Sequence, residues 1–298
     1  MFFSRKKKKY VMGGELKEER CKVEERGTEK HDVERYFRPS CLPVLNTRIS
    51  RDFFDPYYDK KYDEIVLPSR VVKSPEDTIL YYFSVLWEAA YFAYLDGRPC
   101  GSVGAGTIPY PVAYNFLSKA YQKRISYKTF LTSFTDIAHV NLIKINHVQV
   151  DIEHPHVLRY FIEIETIQST SKHSSSFIYY YGYVYIKKDS NGYYINDMEF
   201  YEEDFLCAAY HLWQHNAEAV VAAKYGNWCN LVKKILPTKQ DGYVKTIGAL
   251  GDDGEAYQFV FFQLTNDTDV LVGQYKKGAS GKWEDLHLVP EDCTKQKG

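Results

Sequence analysis

The stretch "AYNFLSKAYQKRISYKTFLTSF", residues 113–134, decides how this chain folds. Ala113, Phe116, Leu117, Ala120 and Tyr121 recur at helical spacing on one face, while Lys119, Gln122 and Lys123 turn outward. Ser126 restarts the chain as the N-cap of a second short helix carrying Phe130, Leu131 and Phe134. Two short one-sided helices cannot bury their faces alone, so the segments on either side must supply the partner layer.

Upstream, "SPED" at 74–77 opens a longer helix. Ser74 is its N-cap, Pro75 suits the first helical position, and Asp77 closes a capping box. Ile79, Phe83, Leu86, Trp87, Ala90 and Tyr94 then form an apolar stripe that Asp96 and Gly97 end. The Gly/Pro-rich loop that follows contains "GSVGAG" at 101–106, which lacks the Lys and Ser/Thr of a phosphate-binding loop and reads as a connection.

Downstream, residues 139–151, 156–168, 176–187 and 192–201 are rich in β-branched and aromatic residues and separated by turn signals, which predicts four antiparallel strands. In the second, Leu158, Tyr160, Ile162 and Ile164 share one face, and Arg159, Glu163 and Glu165 the other, which is expected to be wet or interfacial. In the first, the alternation slips between Leu142 and Ile143, predicting a bulge and a bend. The expected fold is therefore α+β: a cone-shaped, bent antiparallel sheet covered by three helices over 73–202. A long connecting helix over 203–237 and a small antiparallel β domain over 238–298 are expected to follow it. Before it, residues 1–35 read as a charged flexible arm, and 36–72, with Pro39, Pro43, Pro56 and Pro68 among aromatics, as an extended docking segment.

The 38 basic and 39 acidic residues nearly cancel, so no whole-molecule field favours nucleic acid, and no nucleic-acid partner is expected. No apolar run reaches the ~20 residues of a membrane span, and no signal-peptide core follows the basic start, so a cytoplasmic protein is expected. Lys6 to Lys9 offer peripheral attachment to anionic lipid or a solvated tail. The six Cys show no CxxC, which argues against zinc and for free, partly buried thiols. Neither a metal nor another cofactor is expected.

The order helix, Gly/Pro loop, residues 113–134, and a bent sheet ending in "DSNGYYINDMEF" (189–200) resembles the nuclear transport factor 2-like superfamily, as a bacterial member. Leu117, Ser118 and Tyr121, then Ser126, Tyr127 and Phe130, stand where the superfamily has its Leu-Ser-Tyr and Ser-Tyr-Phe helices. Gly192, Tyr193 and Ile195 stand at the Gly, Trp and Ile of its last strand, with Tyr for Trp. The resemblance covers about 73–202 and speaks to fold, not reaction. It implies a concave pocket, used by ketosteroid isomerase and scytalone dehydratase for an Asp or His base with Tyr donors, and by other members for binding.

The catalytic candidates here are Asp136, His139 and Glu163, with Glu165, His147 and Asp151 as further titratable groups. Asp136 and His139 read either as an inward base pair or as a polar helix end. "DIEHPH" (151–156) reads as a turn with solvated His154 and His156. Trp87, Tyr121, Tyr160, Tyr179, Tyr181 and Tyr183 are candidates for a ligand pocket or an interface. Two functions follow as expectations: a non-enzymatic binding or assembly module, dimeric, with itself, another protein or a small apolar ligand as partner; or an isomerase/dehydratase. A third is a soluble part of a conjugation component with tandem modules, residues 203–298 being a truncated second copy.

Overall fold

The computed structural model describes residues 8–17, 42–95, 108–150, 155–171, 174–203 and 212–295. The chain forms two compact units: Met1–Arg20 with Phe37–His147 and His154–Glu203, and Cys21–Tyr36 with Val148–Glu153 and Asp204–Gly298. Among the described residues no helix is long and apolar enough to cross a membrane.

In the first unit, helix α1 (Pro75–Leu95) starts as the sequence predicts. Ser74 Oγ accepts a hydrogen bond from the Asp77 amide at 3.1 Å and donates one to the Asp77 carboxylate at 2.7 Å, which satisfies an otherwise orphaned donor. Its burial is wider than one stripe, because Tyr82 and Val85 are as buried as Ile79 and Phe83.

Residues 113–134 divide into α2 (Pro109–Tyr114), α3 (Lys119–Arg124) and α4 (Tyr127–Thr132), one break more than the spacing predicts. The sheet causes the extra break. Ser118 donates its amide to Ile195 O at 2.8 Å and Ile195 donates to Phe116 O at 2.9 Å, so the chain leaves the helix to pair with a strand. Ser118 then caps α3 by accepting from the Tyr121 amide at 3.1 Å, and Ser126 caps α4 by accepting from Thr129 at 3.2 Å.

The expected strands form as β3 (Ile137–Val148), β4 (Leu158–Ser171), β5 (Ser174–Asp189) and β6 (Gly192–Glu202), in a strongly curled six-stranded sheet. The other two strands come from the segment read as an arm: β1 (Tyr10–Val11) and β2 (Gly14–Lys17) make a hairpin, and β2 lies parallel on β6. Its tip is pinned from the helices, with Tyr82 Oη donating to Met12 O at 2.7 Å and Tyr121 Oη to Gly13 O at 2.9 Å. Gly13 has φ of +81°, and a Cβ there would stand 2.7 Å from the Phe130 ring, so only glycine fits. Lys8 pairs with Glu15 at 2.7 Å, while Lys6 and Lys7 lie outside the described residues.

The docking segment, described from residue 42, packs Phe53, Phe54 and Tyr57 into the core of its own unit. Its Asn46 amide donates to Phe83 O at 3.0 Å and Val140 O at 2.9 Å and accepts from Leu142 N at 2.9 Å, closing the outer edge of β3. On the helix side of the sheet, Tyr82, Phe116, Phe130 and Phe134 meet Tyr160, Ile162, Ile164, Tyr180 and Val184 in one cluster, so rings pack between the helices and the sheet.

From residue 212 the second unit corrects the long helix expected over 203–237, whose residues 204–211 lie outside the described residues. Trp213–His215 is a single 3-10 turn, Asn216 caps by accepting from the Ala219 amide at 2.9 Å, and α5 (Ala217–Val220) runs into a π-helical segment, Val221–Trp228. Asn230, at φ of +52°, ends the helical run. The chain then enters strand β7 (Val232–Ile235), where Val232 is buried, Lys233 and Lys234 are exposed, and the register shifts between Val232 and Lys234. Strands β8 (Lys239–Asp241), β9 (Val244–Gly251), β10 (Ala256–Gln263), β11 (Asp269–Lys277) and β12 (Trp283–Asp285) complete an antiparallel sheet of order β12-β11-β10-β9-β7, with β8 on β9. Helix α6 (Pro290–Lys295) closes the described chain.

Cys229 and Cys293 are joined by a disulfide, correcting the expectation of free thiols for this pair. Spacing alone does not reveal a bond between cysteines 64 residues apart. Cys21, Cys41, Cys100 and Cys207 lie outside the described residues.

Val221, Tyr225, Ile247, Phe259 and Phe261 form the core of this unit. The Tyr225 hydroxyl is buried with no hydrogen-bond partner among the described residues, and burial holds its pKa well above the usual phenol range. An unpaired buried hydroxyl costs free energy. Tyr225→Phe is therefore expected to leave stability unchanged or raise it by up to about 1 kcal/mol. A clear fall in the thermal midpoint would show that the hydroxyl is engaged.

Candidate functional site

Alternation along β4 and β5 sorts the candidate residues onto two faces. Tyr121 and Tyr160 lie on the helix side, and both are tied down: Tyr121 by Gly13 O, and Tyr160 by a hydrogen bond to the Glu76 carboxylate on the first turn of α1. The Tyr160 ring lies 5.2 Å from the imidazole of His147, which is exposed.

The opposite face gathers most of the others. The register pairs Glu165 with Tyr179, Glu163 with Tyr181, Phe161 with Tyr183 and Arg159 with Tyr185. The sequence leads one to expect this polar side to be wet, but Glu163 is 0% and Glu165 5% exposed. Carboxylates survive such burial only when paired. Glu163 forms an ion pair with Lys144, itself 2% exposed, and Glu165 accepts from Tyr179 Oη at 2.8 Å and from Asn141 Nδ2 at 3.0 Å.

Lys144 reaches Glu163 because the alternation of β3 slips. Val140 and Leu142 belong to the helix-side core, Lys144 pairs on the other face, and Ile145 packs back on the helix side. The change of side falls between Leu142 and Lys144, beside the position where the sequence predicts a bulge.

His139 Nε2 lies 2.8 Å from Asn141 Oδ1, and its ring meets Trp87 at 5.8 Å. Burial lowers its pKa from 6.5, which favours the neutral imidazole at neutral pH. The carboxylate that His139 reaches, through Asn141, is Glu165. Asp136 is exposed in the turn before β3, at φ of +68°, and makes no hydrogen bond to His139, so the two do not form a base pair.

The rings continue this face. Tyr181 stacks on Tyr201 at 5.0 Å and 14° and meets Phe161 at 6.2 Å, Tyr183 packs edge-on to Phe161 at 5.8 Å, and the Arg159 guanidinium sits 3.6 Å over the Tyr183 ring. Tyr185 Oη donates to Glu199 at 2.7 Å, and burial holds that phenol well above its usual range. Tyr179, Tyr181 and Tyr183 are buried, whereas Arg159, Tyr185 and Tyr201 are half-buried and form the accessible rim.

His156 is exposed in a turn, as expected, while Asp151 and His154 lie outside the described residues. Among the described residues no group of three or more His, Cys, Asp or Glu could hold a metal.

The second unit holds a feature that sequence reasoning missed. A cavity of about 650 Å³ is lined by Trp213, His215, Asn216, Lys245, Gln263 and Asp269, among others. Asp269 is buried and accepts from the Ala217 amide at 2.9 Å, while Lys245 Nζ bridges both its oxygens at 2.8 and 2.9 Å. The available signal was Asn216, which interrupts the expected helical stripe directly after Trp213 and His215.

Compared with family models, with curated proteins and with solved structures, the chain matches none.

Proposed function

We propose that this protein works by binding or assembly, as a nuclear transport factor 2-like module whose working surface is the tyrosine face of the curled sheet. One observation carries the reading: Glu163 and Glu165 stand on the face of the sheet away from the helices, and the helix side is packed with rings. Glu163 and Glu165 are held in hydrogen bonds and an ion pair on that face, His139 lies between Asn141 and Trp87 of α1, and Asp136 faces water. An isomerase or dehydratase needs its base and donors turned toward a substrate in the hollow. The tyrosine face instead has the make-up of an interface, with stacked rings at its centre and an Arg, a Tyr and a further Tyr at its rim.

A homodimer through this rim is the form of the proposal that can be tested first. Sedimentation velocity of the full chain is expected to show a species heavier than the 34.8 kDa monomer. Arg159→Glu is expected to weaken the dimer by at least about tenfold. Tyr185→Ala with Tyr201→Ala, both on the half-buried rim, is expected to abolish it, with the β signal in circular dichroism retained. A wild type that stays monomeric, or an Arg159→Glu dimer of unchanged affinity, removes the interface.

The same reading bears on compartment. A disulfide between Cys229 and Cys293 favours an oxidising environment over the cytoplasm expected from the sequence.

A further inference from the structure

Helix α6 is fastened to the rest of its unit by a bond that chemistry can open. Cys229 follows directly on the π-helical segment and Cys293 stands in α6, so their disulfide joins the two elements. Both cysteines are half-buried, and Asn230, Asp292 and Thr294 beside them are exposed. The bond therefore lies at the surface, where an attacking thiolate can reach it.

Two features make the position of α6 depend on that bond. A helix of six residues does not persist by itself in water. Its ion pair to the π-helical segment, Lys224 with Glu291 at 2.7 Å, joins side chains that are 28% and 52% exposed, a setting in which water screens most of the attraction.

The surface under α6 favours opening. The Tyr225 ring rests on Phe259, with centroids 4.3 Å apart, and its hydroxyl end lies toward Glu291 of α6. That hydroxyl is buried and has no hydrogen-bond partner among the described residues. The closed arrangement thus carries a cost that water removes once α6 moves away. The element bearing Tyr225 is π-helical, a geometry that recurs where proteins keep a functional irregularity.

We propose that α6 is a redox-operated clasp: the Cys229–Cys293 disulfide holds it over the π-helical segment, and reduction by a dithiol frees it and opens the Tyr225 side of that segment to water. The chemistry is thiol–disulfide exchange. One thiolate of the reductant bonds to a sulfur of the pair and the other sulfur leaves as thiolate. The second thiol of the reductant then displaces the mixed disulfide. Cys229 and Cys293 end as thiols, having gained two electrons and two protons, and the dithiol ends as a disulfide. The clasp is closed in an oxidising compartment and open in a reducing one, whichever surface the curled sheet uses.

The test compares the oxidised full chain with the same chain in dithiothreitol, without denaturant, by hydrogen exchange and by titration of free thiols. Reduction is expected to speed exchange of the amides of residues 291–295 by about tenfold or more, while β9, β10 and β11 keep their protection. Cys229→Ser with Cys293→Ser is expected to exchange like the reduced chain and to be indifferent to dithiothreitol. Tyr225→Phe, which removes the unpaired hydroxyl, is expected to exchange more slowly in α6 than wild type when both are reduced. The proposal is overturned if the bond resists the dithiol in the folded chain, or if α6 exchanges at one rate in both states. It is equally overturned if the strands lose protection together with α6, which would make the bond a plain structural crosslink, or if the double Ser variant still responds to dithiothreitol. An unchanged α6 rate in reduced Tyr225→Phe overturns the part given to the phenol.

Discussion

Breaking the Cys229–Cys293 bond, by reduction or by Cys229→Ser with Cys293→Ser, is expected to lower the stability of the second unit by about 4 kcal/mol. The two cysteines are 64 residues apart, so the bond closes most of this unit into one loop and removes much of the freedom of its unfolded chain. In the folded chain the bond ties the end of the π-helical segment to α6, a link that the Lys224–Glu291 ion pair at 2.7 Å also makes. A unit of this size has a small core and little stability to spare. Urea titration of the full chain is the measurement, followed by tryptophan fluorescence, because Trp213, Trp228 and Trp283 all lie in this unit. The reduced chain is expected to show an early transition that the oxidised chain lacks. A shift worth less than about 1 kcal/mol would mean that the loop is already restrained when unfolded.

Lys144→Met is expected to cost about 3–5 kcal/mol, the largest effect of any single side chain in the curled sheet. The reason is asymmetry: Glu163 is fully buried, and removing its cation leaves a carboxylate in a low-dielectric setting. Glu163→Gln is expected to be costly for the converse reason. If the two act as a pair, the double variant is destabilised by less than the sum of the singles, with a coupling above about 1 kcal/mol. Urea unfolding followed by far-ultraviolet circular dichroism reads this directly. Additive losses would show that each group is held by other neighbours and that the pair itself contributes little.

The legible parts of this fold share a cause: they are written in local periodicity or in capping chemistry. Ser74, Ser118 and Ser126 cap where short polar residues precede apolar ones, and β4 and β5 alternate so regularly that their facing residues follow from parity. The hairpin at Tyr10–Lys17 was not legible, because an edge strand needs few apolar residues and its neighbouring Lys and Glu mask those few. The burial of Glu163 was hidden for another reason. Its partner Lys144 sits just past the slip in β3, where alternation no longer tells which face a side chain takes. The helix expected over 203–237 failed because apolar spacing was counted through Asn216, a residue whose side chain prefers to start a helix. The same residue borders the cavity that no motif announced.

The way the curled sheet ends has a consequence for whatever meets it. On one side its last member is the two-residue strand β1, and on the other Asn46 occupies the main-chain groups of Val140 and Leu142. Among the described residues one margin is two residues long and the other is taken up in part by Asn46, which shortens the template on which an extended peptide could lengthen the sheet. Association by main-chain augmentation, and the fibril growth that open sheets invite, are thereby disfavoured. Recognition falls to side chains on a face, where single substitutions can alter it.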